Sequence, residues 1–354
     1  MKVLTLAEWG RWDEAVRAIP GWDVYWLPGY GRFWERNGDG TACLALLEDG
    51  VERVALTFVR RPIPETDRWD MITPYGYGGH LATAGATGLI PRFYAELAEW
   101  ARSEGGVSAF IRFHPVLRNH ETWPQPPIRR SETVWLDLAG EEPEAGFKAE
   151  VRNRIRKATR AGLTCRFTPA PPAMEAFLDL FHRTMDRLGA SGYYHFADEA
   201  FAGLLREMPE HLLLGEVIAP DGAVAAAALF LYNDWYLHYH LGGSDPAWLR
   251  WAPNNLLFAE AARWGRERGR RLLHLGGGVK PTDELFRFKS GFSRLRAEFC
   301  VGQLVLDPAA YDALTDRHVA RLGGRPPAPD WFPAYRAPAA PTQVETLHMK
   351  GAQV

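Results

Sequence analysis

Apolar residues fall along the chain in short runs, and one succession of runs occurs twice. Residues 41–60, TACLALLEDGVERVALTFVR, hold two apolar stretches joined at Asp49-Gly50. Residues 212–231, LLLGEVIAPDGAVAAAALFL, hold two more joined at Asp221-Gly222. An Asp-Gly pair between apolar runs predicts a hairpin, because it tolerates the positive φ of a tight turn. Further along each half the period becomes helical. Phe93, Leu97 and Trp100 share one face, as do Leu257, Ala261 and Trp264. Gly105 and Gly269 stand where a helix C-terminal cap favours glycine, and an apolar strand follows each, from Val107 and from Arg271.

Hairpin, helix and strand recurring in one order predict a duplicated architecture. The expected fold is α/β (α+β): two units of similar topology side by side, with mixed, mostly antiparallel sheets flanked by helices. The boundary falls near residues 125–135, which gives an N-terminal domain over 1–130, a C-terminal domain over 131–321 and a tail over 322–354. The second half adds a strand, WYLHYHLGG from Trp235, and two helices, one over 143–161 and one over 171–189 with Pro at its start and Gly at its end. The tail is rich in Pro and Ala, which predicts extended chain, although Trp331, Phe332 and Tyr335 offer rings to pin it to the surface.

Composition narrows the classes. The 14 Trp, 12 Tyr and 18 Phe are enough to fill two cores and line a cleft. A formal net charge of -2 gives no global positive field, so a polyanionic partner must be met by a local patch. Cys43, Cys165 and Cys300 lie far apart without metal-ligand spacing, which favours a reducing compartment over a disulfide framework or structural zinc. The N-terminus lacks the apolar run of a signal peptide, and no stretch is long and apolar enough to span a bilayer. A soluble, cytoplasmic protein is expected.

Four stretches offer chemistry. In KAEVRNRIRKATRAG, residues 148–162, six cations meet one acid, and Lys148, Arg152, Arg156 and Arg160 align at i, i+4 steps. Like charges so aligned suit phosphate binding, or else form a solvated helix face. In LLHLGGGVKPTDELFRFKSGFS, residues 272–293, a strand ends in three glycines, then Phe286, Phe288 and Phe292 flank Arg287 and Lys289. A lysine held among aromatics can stabilise an oxyanion or a phosphate, and three core phenylalanines with two snorkelling cations give the same pattern. TPYGYGGH, residues 73–80, and GYYHF, residues 192–196, read as loops presenting tyrosine to a ligand or as turns whose rings cap the core. His238 and His240 share one strand face, with no carboxylate or third ligand nearby in sequence, so no metal is expected. No nucleophile elbow or reactive-cysteine context occurs, which favours direct transfer by positioning and charge stabilisation.

These residues resemble the FemABX family, a branch of the GNAT-type acyltransferases. The resemblance rests on RNRIRKATRAG at 152–162, PNNLLFAEAARWGRERG at 253–269, and HLGGG followed by LFRFKSGFS within 274–293. It implies two tandem GNAT-like domains and transfer of an aminoacyl or acyl group to an amine of a peptidoglycan precursor. The implied donor is aminoacyl-tRNA or acyl-CoA, with no resident cofactor. The implied acceptor is a small-molecule or UDP- or lipid-linked precursor. By position, Lys289 matches the FK-motif lysine that stabilises charge on the ester under attack, and Phe288 its aromatic neighbour. Arg152 and Arg156 lie in the family's basic helix, and Tyr75, Tyr77 and Tyr194 are implied to line substrate by their proximity to family loops; His240, on its strand face, is a further candidate substrate contact. The chain departs from the pattern twice. LRWAPNN replaces the glycine-rich pyrophosphate loop of acetyl-CoA enzymes, and no heptad segment supplies the helical arm of some cell-wall members. Two rival readings follow: an acyl-CoA-dependent N-acetyltransferase acting on a small amine or a polysaccharide sugar, and a non-catalytic RNA- or polyanion-binding module.

Overall fold

A computed structural model of the chain describes residues 1–140, 142–189, 196–278 and 283–340. The first half runs β1 (Lys2–Thr5), α1 (Trp9–Arg17), α2 (Pro28–Arg36), β2 (Thr41–Asp49), β3 (Glu52–Pro62), β4 (Trp69–Ile72), β5 (Leu81–Ala82), α3 (Leu89–Ser103) and β6 (Gly106–Arg112). β7 (Ile128–Asp137) leads to α4 (Ala149–Arg160), β8 (Thr164–Pro169), α5 (Glu175–Leu188), α6 (Asp198–Glu207), β9 (Leu212–Ile218), β10 (Val224–Tyr232) and β11 (Tyr236–Ser244). The chain continues through α7 (Pro253–Glu267), β12 (Leu272–Gly276), α8 (Glu284–Lys289), β13 (Arg296–Val305) and α9 (Pro308–Arg321).

The repeat is real in three dimensions. Described strands pair in the order β1-β2-β3-β4-β6-β13-β7-β12-β11-β10-β9-β8, so each half builds the same series from its outer edge inward. The pairing pattern repeats too: β4 with β6 and β11 with β12 are parallel, each pair linked through one helix, and the outer ladders are antiparallel. The two central strands are exchanged. β7, which follows β6 in the chain, pairs with β12, while β13, which follows β12, pairs with β6. The halves therefore share one sheet.

Strand alternation then sorts the core. Ala42, Leu44 and Leu46 of β2, with Ala227, Leu229 and Leu231 of β10, face a cluster common to both halves, filled from α1, α2, α5 and α6. The intervening residues face outward: Cys43, Ala45 and Leu47 toward α3, and Ala226, Ala228 and Phe230 toward α4 and α7. One inner layer and two outer layers result. Gly105 and Gly269 cap their helices at φ +85° and +71°, as the sequence predicts.

One expectation needs correction, and another is refined. The helix expected over 143–161 is a short 3-10 turn at Pro143–Gly146 and then α4, because Phe147 is extended and buried against Phe292, with ring centroids 5.3 Å apart. The tail, as far as it is described, is pinned to the first half through Tyr335, one of the rings the sequence offers for that role. Tyr335 is buried with its hydroxyl 2.7 Å from Ser108 Oγ, and Tyr335 packs with Leu314 of α9 against Ile63 and Val107 of the first half.

Candidate active site

Lys289 closes α8. Asp283 starts this helix by accepting from Phe286 N at 2.8 Å, and Gly291 ends the segment where Lys148 N, just ahead of α4, donates to its carbonyl at 2.8 Å. Phe288 lies 5.6 Å from Phe258 and 5.4 Å from Phe292 between ring centroids, so it anchors the helix in the outer core. Lys289 points the other way and is only 5% exposed. Its Nζ donates to the Gly277 carbonyl at 2.7 Å and stands 5.3 Å from the centre of the Tyr239 ring. Burial pulls its pKa down from 10.5 to about 7, against an opposing attraction from Asp283. An ammonium has three donors, and the Gly277 carbonyl takes one.

The glycines after β12 make this approach possible. Gly276 has φ +74°, and a Cβ there would lie 3.1 Å from the Tyr77 hydroxyl and 3.6 Å from Lys289 Nζ. A Cβ on Gly277 would lie 2.9 Å from the Glu132 carbonyl of β7. Tyr77 and Lys289, from opposite halves, thus converge on the end of β12, beside the point where β11 and β12 cease to pair.

Behind them lies a buried charge that sequence reasoning missed. Asp23 is 0% exposed, and its Oδ2 accepts from His238 Nε2 at 2.7 Å and from His114 Nε2 at 3.0 Å. Val24 N donates to Oδ1 at 2.7 Å, and Asn233 Nδ2 lies 3.4 Å from it. Burial raises the pKa of Asp23, but the His238 charge and the hydrogen bonds from both histidines outweigh it and hold the carboxylate below its ordinary range. His114 Nδ1 accepts from Leu117 N at 3.1 Å, which fixes it as the neutral tautomer with its proton on Nε2. His238 Nδ1 in turn lies 3.4 Å from Nδ1 of His274, whose ring is edge-on to Tyr77 at 4.8 Å. Burial pushes His274 well below the usual imidazole value, and its Nε2 has no partner. The carboxylate that His238 lacks nearby in sequence is supplied from the other half of the chain. The ligand atoms of Asp23, His114 and His238 lie within 4.8 Å of one another, but the two N–H donors on Oδ2 already satisfy the group without a cation.

The remaining expected residues divide. Tyr75 and His240 meet across the halves, with ring centroids 6.3 Å apart beside Tyr30, whose hydroxyl donates to the Tyr75 carbonyl at 2.6 Å. His240 has an unpartnered Nε2 and a pKa lowered to about 3, by burial first and the His238 charge second. Tyr194 lies outside the described residues. Arg152 donates to the Phe147 carbonyl and Arg156 to Asn153, both along α4. Arg152 stands on the first turn of α4, which packs on the segment carrying Lys289, and Arg156 is exposed one turn further. The Asp23 network did leave traces in sequence. Asp23 is a lone acid between tryptophans in GWDVYW, and His274 is a lone polar residue in an apolar strand.

The architecture is a tandem repeat of one α/β unit, with its two halves in a single sheet. Residues 145–290, from the approach to α4 through Lys289, match the acetyltransferase (GNAT) domain. The crystal structure of FemX is similar over 88% of this chain and 99% of its own, with a TM-score of 0.67 at 14% identity. The C-terminal domain (DUF2156) of a putative lysylphosphatidylglycerol synthetase from Agrobacterium fabrum is similar over 88% of this chain and 96% of its own, at TM-score 0.56 and 16% identity. The L-PGS structure from Bacillus licheniformis follows at 0.51 and 16%, over 83% and 96%. At such identities the likeness is one of fold. No curated protein matches the sequence. Among the described residues, no helix is long and apolar enough to cross a membrane.

Proposed function

We propose that the chain transfers an aminoacyl or acyl group to the primary amine of a cell-wall precursor, with Lys289 as the catalytic cation. The observation that carries this reading is the buried Lys289 Nζ, held at 2.7 Å by one backbone carbonyl and with donors to spare. In the reaction the amine nitrogen attacks the donor carbonyl carbon and a C–N bond forms. The carbonyl electron pair moves to oxygen, then returns as the bond to the leaving oxygen or sulfur breaks. Lys289 donates to the transient oxyanion, an interaction stronger in the transition state than in the ground state. The proton shed by the amine ends on the leaving group. Tyr77 borders the same space from the other half, and Arg152, on the helix that adjoins the FK segment, is the proposed phosphate contact. The acceptor class comes from the FemABX resemblance.

The test is a mass measurement. The full chain is incubated with a UDP-linked muropeptide and either aminoacyl-tRNA or acyl-CoA. One acyl addition on the acceptor amine, dependent on Lys289, is the expected product. An acceptor left unmodified with both donors contradicts the reading.

A further inference from the structure

Three metal-ligating side chains meet on the face of β13 that points away from Tyr77. Alternation along this strand turns Phe299 toward Tyr77, with ring centroids 5.8 Å apart, and turns Glu298 and Cys300 to the opposite face. There a ring nitrogen of His120, Cys300 Sγ and a carboxylate oxygen of Glu298 lie within 4.8 Å of one another. His120 comes from the first half, in the 3-10 turn Asn119–Thr122 between β6 and β7. Cys300 has no partner at zinc-ligand spacing along the chain; the passage of β13 into the first half supplies one.

The turn that carries His120 is tied down on both sides. Asn119 Nδ2 donates to the carbonyls of Gly78 at 2.7 Å and His80 at 2.8 Å, and Asn119 Oδ1 accepts from His114 N at 2.9 Å. Trp123, directly after the turn, packs on β13, where a Cβ on Gly302 would lie 3.0 Å from its ring. His120 is 7% exposed and Cys300 3%. His120 Nδ1 is sealed from solvent and has no hydrogen-bond partner among the described residues. A buried polar nitrogen left without a partner costs free energy that a bound cation would offset.

Glu298 gives the cluster its opening, since its side chain is 54% exposed. Its Oε1 accepts from Arg129 Nε at 2.8 Å. A register shift sets Arg129 opposite Cys300, and Arg129 also reaches Glu132 Oε1 at 3.0 Å. One guanidinium is thus divided between two carboxylates, and Glu298 keeps lone pairs for a cation.

We propose that His120, Glu298 and Cys300 bind one Zn²⁺ ion, with water in the fourth position. Imidazole nitrogen, thiolate sulfur and carboxylate oxygen are the ligand types zinc takes. One thiolate and one carboxylate balance its charge where burial excludes most of the solvent. Binding forms the Zn–S bond and passes the Cys300 thiol proton to solvent. The ion ties the turn after β6 to the strand that crosses over from the second half. The site lies on the far face of β13 from Tyr77 and does not depend on the transfer reaction assigned to Lys289.

The test uses the full chain, stripped with a chelator and kept reduced, and titrated with Zn²⁺ against a chromophoric competitor. One equivalent should bind, and the thermal midpoint should rise with Zn²⁺ concentration. Co²⁺ in place of Zn²⁺ should give a thiolate-to-metal charge-transfer band. Cys300→Ser should abolish that band and weaken Zn²⁺ at least about 100-fold, the upper end of the loss seen for an outer-shell partner. Glu298→Gln changes an exposed side chain, so it should leave the circular dichroism spectrum unchanged and still weaken Zn²⁺ roughly tenfold or more. The proposal is overturned if the chain binds no Zn²⁺, if the cobalt band persists in Cys300→Ser, or if Glu298→Gln binds Zn²⁺ like the parent chain.

Discussion

Lys289 Nζ donates to the carbonyl of Gly277 at 2.7 Å, and this single bond aims a buried ammonium along the end of β12. The lysine is held by Phe288 and Phe292 behind it and by a glycine backbone in front. Replacement by Met keeps the stem and removes the donors. Lys289→Met should lower kcat about 100-fold or more with little change in KM, as loss of an oxyanion donor does. Circular dichroism should show the fold intact.

The same lysine makes stability depend on pH. Its pKa is about 7 in the folded chain against an ordinary 10.5. Between those values the unfolded chain holds the proton and the folded chain releases it, so stability rises as pH rises through the window. Below pH 7 both states are protonated and the full cost of burying the charge is present. Lys289→Met should therefore be more stable than the parent at pH 6, by on the order of a few kcal/mol. The gain should shrink steadily toward pH 10. Urea unfolding at pH 6, 8 and 9.5 reads this slope directly.

Asp23 joins the halves through His114 of the first and His238 of the second. Asp23→Asn removes the charge and turns an amide toward two N–H donors. Leaving a buried partner uncompensated costs about 3–5 kcal/mol, and a loss of that size is expected in the denaturant midpoint. Because the network reaches His274 and then Tyr77, transfer activity should fall as well, even at temperatures where the variant is fully folded.

Gly276→Ala tests the tight approach at β12. The residue must keep φ +74°, and the new methyl would meet the Tyr77 hydroxyl and crowd Lys289 Nζ. Stability should drop by roughly 1–2 kcal/mol, and activity should fall further than stability alone explains. Gly269→Ala, also at a positive φ (+71°) but with open space for a Cβ, is the control.

Much of the fold is legible in the sequence because it rests on local signals. Asp49-Gly50 and Asp221-Gly222 mark their hairpins, and Gly105 and Gly269 end their helices. The exchange of β7 and β13 is not legible, since a swapped strand satisfies the same alternation as an unswapped one. At the site, Lys289 stands out through its aromatic neighbours, and Tyr77 through the glycine-rich loop around it. Asp23 and His114 do not, because their meaning depends on contacts with His238 some two hundred and one hundred residues away, respectively. Phe288 shows the opposite: its neighbour in sequence is the candidate catalytic group, while its own side chain serves the core.

The most direct test of the central claim is single-turnover transfer to a UDP-linked muropeptide amine, comparing the parent chain with Lys289→Met at saturating donor and acceptor. The account predicts a rate constant reduced about 100-fold or more in the variant, with substrate binding retained. Equal rates in the two proteins would contradict it.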